Sequence, residues 1–244
     1  MTVPASPSYA ISLTSIPPRH HRLAPVLRSL LAQDPAPHRV LLCLPRSPAR
    51  FDPAPLPDLP EGVEVMVSDR DEGPATKVLP AARALAGAQA GRTGRLIYCD
   101  DDWIMPQGWA ARLLAAGEAS EAVAGAGFDV DRLKRHSHRA PDAGLRDIAQ
   151  GFAGVSIRPE WLAGPGLAPP PEAWPVDDIW VSAQLARQQI PIRLAHTARD
   201  GMRLAYEDAH ALQDADIGNK KRHAANLACV AHVTLRYGLW PPRA

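Results

Sequence analysis

Residues 95–102 read RLIYCDDD, an apolar run of strand-like composition that ends directly in three aspartates. Continuous apolar runs of this length suit strands buried on both faces, as in parallel sheets. Working backwards, residues 63–67 (VEVMV) and 39–44 (RVLLCL) have the same character, and residues 8–14 (SYAISLT) form the first such run. Helical patterns lie between them. Leu23, Val26, Leu27, Leu30 and Leu31 recur at helical spacing within residues 21–33, and residues 76–88 predict a second helix. Pro80 is compatible with that helix only in or near its first turn.

Working forwards, Pro106 suits the first turn of a helix whose inner face is Trp109, Leu113 and Leu114. Residues 122–128 and 152–157 predict further strands, separated by a polar, basic stretch at 129–150. Asp177 and Asp178 open a helix (IWVSAQLARQQ), and a short strand follows at 191–195. A last helical pattern runs from about Lys220 to Tyr237, with Leu227, Val230, Val233, Thr234 and Tyr237 as its stripe. Strands alternating with helices imply βαβ units. The expected fold class is therefore α/β: one domain over residues 1–244, with a mainly parallel sheet flanked by helices.

Composition is consistent with that expectation. At 244 residues the chain suffices for one α/β domain or two small ones. Hydrophobic residues make up 46%, in short runs, and none approaches the ~20 apolar residues of a membrane span. The start, MTVPASPSYAISLTSIPPR, has no basic segment ahead of its apolar stretch and does not read as a signal peptide. Cys43, Cys99 and Cys229 are scattered without metal-type spacing, and the first two lie in apolar runs as small core residues. These features lead us to expect a cytoplasmic protein with no integral membrane segment. A net charge of +1 gives no global attraction to nucleic acid or an anionic membrane. Many of the 26 prolines fall at 45–60 and 165–175, which read as rigid connections rather than linkers. There is no internal repeat.

Parallel sheets bind ligands in the crevice beyond the carboxyl ends of their strands. Polar clusters sit there: residues 14–19 after the first strand, 69–77 after the third and 100–102 after the fourth. Side-chain alternation sends Asp100 and Asp102 to one side and Asp101 to the other. Two converging carboxylates repel unless a cation compensates, and Mg²⁺ or Mn²⁺ is commonly held by one or two carboxylates plus phosphate oxygens and water. An Asp-x-Asp at a strand end is thus half a metal site, with a diphosphate as the other half; a solvated acidic turn or helix cap is the competing reading. Asp177 and Asp178 serve either as helix caps or, additionally, as a general base. Gly151, Phe152 and Gly154, ahead of a strand, either admit a ligand to the backbone or form a turn. His196, with His210 as its rival, is a candidate third metal ligand. Lys77 and Arg19 either neutralise a diphosphate or are solvated surface charges.

Five segments carry a family resemblance: ISLTSIPPR, DEGPATKVLPA, RLIYCDDDW, GFAGVSIRP and VDDIWVSAQLA. In their order they cover residues 8–195, and they resemble the GT-A glycosyltransferases, in particular small bacterial family-2-like members. The resemblance implies a Rossmann-like GT-A sheet, with a nucleotide-sugar-binding half at 1–105 and an acceptor-binding half with the last helix at 106–244. It implies sugar transfer from a UDP- or GDP-sugar to a glycan or other hydroxyl acceptor, as in polysaccharide biosynthesis, with Mn²⁺ or Mg²⁺ on the diphosphate. By the same resemblance, Thr14, Ile16 and Arg19 hold base and ribose, Asp69 lies near the base, and Lys77 serves the donor. Asp100 or Asp101 contacts ribose, while Asp102 binds the metal, with Asp100 as a further candidate ligand. The family's late metal-binding His has no unambiguous match, and His196 is a candidate from its position after a strand alone. Gly151, Phe152 and Gly154 fall on the acceptor side.

Asp177 and Asp178 match an acceptor-side motif that is commonly Glu-Asp, whose last residue is the base in inverting enzymes. Asp replaces Glu at 177, and retaining members carry a similar Asp-Asp-Ile opening, so the stereochemical outcome stays open. The basic stretch at 129–150, with Arg132, Lys134, Arg135, Arg139 and Arg146, is either an acceptor-side loop for an anionic or polyhydroxylated glycan or a solvated surface loop. Two alternatives accompany this expectation. A nucleotidyltransferase would use the same metal and diphosphate, but SIPPR is a poor phosphate loop. A catalytically inactive GT-A module would bind a glycan or partner without turnover.

Overall fold

A computed structural model describes residues 8–87, 94–140, 142–206 and 222–243. His210, the end of the helix expected to reach Ala88, and the expected start of the last helix at Lys220 lie outside the described residues. The strands in chain order are β1 (Tyr9–Thr14), β2 (Arg39–Pro45), β3 (Val63–Ser68), β4 (Arg95–Cys99), β5 (Trp103–Ile104), β6 (Ala122–Ala124), β7 (Gly127–Phe128), β8 (Leu145–Arg146), β9 (Ile148–Ala149), β10 (Val155–Ile157), β11 (Ile192–Leu194) and β12 (Arg203–Leu204). The α-helices are α1 (Leu23–Leu31), α2 (Leu79–Gly87), α3 (Trp109–Ala115), α4 (Asp177–Arg187) and α5 (Arg222–Tyr237).

Eight strands form the central sheet in the order β3-β2-β1-β4-β10-β6-β11-β8. The pairs β3/β2, β2/β1, β1/β4 and β6/β11 are parallel; β4/β10, β10/β6 and β11/β8 are antiparallel. The chain is a single α/β domain of Rossmann-like form, as its alternation of apolar runs and helices predicts. From β1 it steps outward to β2 and β3, then returns to place β4 on the other side of β1. That reversal is a topological switch point, where open α/β sheets bind ligands.

Alternation along β1 explains the two layers. Ala10 joins one apolar cluster with Leu41, Cys43, Leu96 and the α2 residues Leu79, Ala82 and Leu85. Tyr9, Ile11 and Leu13 point the other way and pack with Leu23, Leu27 and Leu30 of α1 and Trp109 of α3. A third cluster joins α4 to α5 through Val176, Ile179 and Trp180 against Cys229, Val230 and Val233. All three cysteines are free and buried, as small core residues. No helix among the described residues is long and apolar enough to cross a membrane.

The structure departs from the expected elements where glycine breaks a run. Residues 122–128 are two strands, because the chain turns at Gly125, where a Cβ would come within 2.4 Å of the Ala153 carbonyl oxygen. The helix expected at Pro106 begins at Trp109, after Gly108 adopts a left-handed φ of 84°. Phe152 belongs to a 3-10 turn (Gly151–Ala153), and the strand starts only at Val155. Pro80 occupies the first turn of α2, the one place it is tolerated.

Candidate functional site

One cavity opens at the carboxyl edge of the sheet, lined by groups from the connections that leave β1, β2, β3 and β4 and from the start of α4. Thr14, Ile16 and Arg19 come from the β1 side, Lys77 from the 3-10 turn before α2, Asp100, Asp101 and Asp102 from the end of β4, and Asp177 and Asp178 from the start of α4. Phe152 joins them because β10 runs antiparallel to β4, with Val155 opposite Tyr98, which brings the turn before β10 to the same edge. The connections that leave the switch-point strands β1 and β4 therefore supply much of the cavity's lining.

Each acidic side chain has a different environment. Asp101 is buried and accepts hydrogen bonds from Ser15 Oγ (2.5 Å) and Arg19 (2.6 Å). Its pKa is raised by burial, with Arg19 and Ser15 opposing the shift. Asp100 is paired with the Lys77 ammonium. Lys77 is itself buried, and its Nζ lies 2.8 Å from Asp177 Oδ2. Burial works against the lysine's charge, but Asp100, Asp177 and Asp178 outweigh it and hold Lys77 well above the ordinary lysine range.

Asp177 and Asp178 occupy the first turn of α4, and neither caps it: the N-cap is Val176, which makes no side-chain cap bond. Asp178 Oδ1 instead accepts the Gly151 N–H at 2.9 Å. Burial first and Asp177 second raise the Asp178 pKa. Asp102 differs from its neighbours. Its Oδ1 is buried and has no hydrogen-bond partner among the described residues. Burial, then Asp100 and Asp101, push its carboxyl up to about 7.

Several expected residues stand elsewhere or act differently. Asp69 is 85% exposed and pairs with Arg46, while Asp71 lines the cavity in its stead. Asp71 is anchored by accepting the Ala49 and Gly73 N–H groups. Lys77 and Arg19 neutralise protein carboxylates, because a cation this buried persists only when paired. Gly154 lies against Trp109, where a Cβ would meet the indole ring at 2.2 Å. Gly151 is packed against Lys77, where a Cβ would meet Nζ at 2.7 Å. His196 is exposed and lines a neighbouring cavity rather than this one.

Sequence reasoning missed Pro48, Arg50, Phe51, Trp174 and Arg222, which also line the cavity. The proline-rich connection after β2 reads as a spacer, yet it forms a wall. No signal short of the tertiary structure places Arg222 there.

The residues were tested against a divalent cation on their own chemistry. Among the described residues no group of three or more His, Cys, Asp or Glu side chains is placed to hold a metal. A hard oxygen donor without a hydrogen-bond partner, Asp102 Oδ1, nevertheless lines the cavity amid further negative charge. That donor fits Mg²⁺ or Mn²⁺ sharing its remaining positions with phosphate oxygens and water. Compared with known proteins, the chain matches no family model, and no curated protein matches it.

Proposed function

We propose that the protein is a glycosyltransferase that uses a nucleoside-diphosphate sugar and a divalent cation. The observation that carries this reading is the Asp102 carboxylate: half-buried, with a buried Oδ1 that has no partner among the described residues, and set beside two other aspartates at the switch point of a mainly parallel sheet. Such an arrangement costs free energy unless a cation arrives. A ligand that brings its own negative charge with that cation, as a diphosphate does, explains why the carboxylates converge.

Asp102 would hold Mg²⁺ or Mn²⁺, with Asp100, which lines the same cavity, as the second candidate ligand. The bound cation supplies charge stabilisation to the departing diphosphate. Ser15 and Arg19 keep Asp101 in place. The cavity's water-accessible space is narrow, about 190 Å³. It suits a diphosphate at depth, with base and sugar along the mouth, where Arg50 stacks on Phe51.

Asp178 is the base in an inverting transfer. Its orientation is set by the Gly151 N–H, and a carboxylate with a raised pKa is a stronger proton acceptor. As the acceptor oxygen bonds to the anomeric carbon, its proton passes to Asp178 and the diphosphate leaves with the electron pair. Lys77 holds Asp177 and Asp100 apart from this exchange by pairing with both.

Calorimetric titration of UDP and GDP, with Mn²⁺ or with EDTA, tests the reading. Wild type binds one of them only with metal, and Asp102→Asn loses most of that dependence. Asp178→Asn retains nucleotide binding and loses roughly 10²–10⁴ in transfer rate. Equal nucleotide affinity in EDTA overturns the metal assignment; failure to bind either nucleotide under any condition overturns the function.

A further inference from the structure

A second cavity of about 900 Å³ adjoins the first, and Gln150 and Phe152 line both. Topology places it there: β6 and β11 run parallel to each other and antiparallel to β10, so they end at the same edge as β4. The volume falls within the ~300–1,000 Å³ usual for small-molecule sites. We infer that this cavity is the acceptor subsite, and that its acceptor is a carbohydrate carrying an acidic group, a carboxylate or a phosphate. The inference rests on the glycosyltransferase reading for the word acceptor, though not for the ligand's chemistry.

Two observations support it. The first is an aromatic wall. Trp103, directly after the triple aspartate, and Phe152, which lines both cavities, pack at a centroid distance of 5.5 Å, both half-buried. Half-exposed rings of this kind offer apolar area to the C–H face of a sugar at little entropic cost. The second is the set of guanidinium groups. Arg132, Arg146 and Arg199 all line the cavity, and none has a carboxylate partner among the described residues. Arg199 lies over the Phe152 ring and Arg132 over Phe128, so both forks are braced by aromatic faces. Guanidinium groups bind carboxylate and phosphate through paired N–H donors.

Acidic groups line the same cavity and must be counted. Asp129 pairs with Arg139. Arg139 is shared with the buried Asp147, so it offsets Asp129 only in part. Asp131 and Asp200 remain, and with His196 neutral the three guanidiniums balance the carboxylates. What favours an acidic ligand is that these guanidiniums have no carboxylate partner among the described residues.

The probes are methyl glucuronide and glucose 6-phosphate, with methyl glucoside as the neutral control. Their binding is followed by saturation-transfer NMR, with and without saturating UDP or GDP and Mn²⁺ in the first cavity. The variant is the double substitution Arg132→Gln, Arg199→Gln; both side chains are exposed, so the fold does not depend on them. Wild type should bind the acidic sugars about tenfold or more tightly than the neutral one. The double variant should lose that preference while keeping its nucleotide affinity. Equal binding of acidic and neutral sugars, or a preference that survives the double substitution, overturns the inference and leaves the donor reading intact. A preference for acidic sugars without any nucleotide binding supports the cavity's ligand chemistry and removes the transferase.

Discussion

Asp102 sits where a carboxylate is least comfortable, half-buried and beside two of its own kind. Its pKa of about 7 in the folded protein, against about 4 in an unfolded chain, means that the native state holds the proton more tightly. The sign follows. Stability from this group is fully present below about pH 4 and is lost as pH rises through about 7. With EDTA present, Asp102→Asn should therefore stabilise the protein by about 1–3 kcal/mol at pH 8 and have little effect at pH 4. Urea denaturation at the two pH values measures this; an Asn variant less stable than wild type at pH 8 would show that the carboxylate is satisfied by something other than a cation. Asp101, one residue earlier, has the opposite arrangement, since Ser15 and Arg19 meet its charge inside the protein.

The turn from Gly151 to Gly154 matters at the scale of elements. It carries Phe152 into both cavities, offers the Gly151 N–H to Asp178, and must then enter β10 past the indole of Trp109. Gly154 has φ 87°, and Trp109 Nε1 donates to the neighbouring Ala153 carbonyl. Gly154→Ala combines left-handed strain with a clash against a buried ring and should cost about 2–4 kcal/mol. Gly166→Ala serves as the comparison, with φ 79° and open space around it, and should cost only about 1 kcal/mol. Equal losses in the two variants would mean that Trp109 moves aside freely.

Not all of this level was legible in the sequence. The first four strands stand out because each apolar run ends in a breaker or a charge. The glycine-bearing segments after residue 105 do not, because periodicity cannot tell a glycine that bends a strand from one inside it.

Lys77 connects parts of the whole molecule that are distant along the chain. It rises from the turn before α2, pairs with Asp100 at the end of β4, and pairs with Asp177 at the start of α4. Ser12 of β1 holds its carbonyl through a 2.5 Å hydrogen bond. Breaking a buried ion cluster by removing one partner typically costs about 3–5 kcal/mol, because the remaining charges stay desolvated and repel. Lys77→Met should lose that much, a drop of roughly 2–4 °C in Tm for each kcal/mol at this size. Adding Asp177→Asn to Lys77→Met should recover part of it. A Lys77→Met protein as stable as wild type would mean that Asp177 takes up a proton without cost.

Local composition settled what was local: which runs become strands, that the sheet is mainly parallel, and that its carboxyl edge collects Thr14, Arg19, Lys77 and the triple aspartate. Hydrophobic periodicity and strand-end position are properties of neighbours in sequence, so they survive in one dimension. Partnership is not such a property. Only the folded chain decides that Lys77 and Arg19 neutralise protein carboxylates, that Asp71 replaces Asp69 at the cavity, and that Asp102 alone of the three strand-end aspartates keeps a buried oxygen with no partner among the described residues. Charges choose partners by distance in space and by what water they lose, and both are fixed only when β4, α4 and the turn before α2 meet.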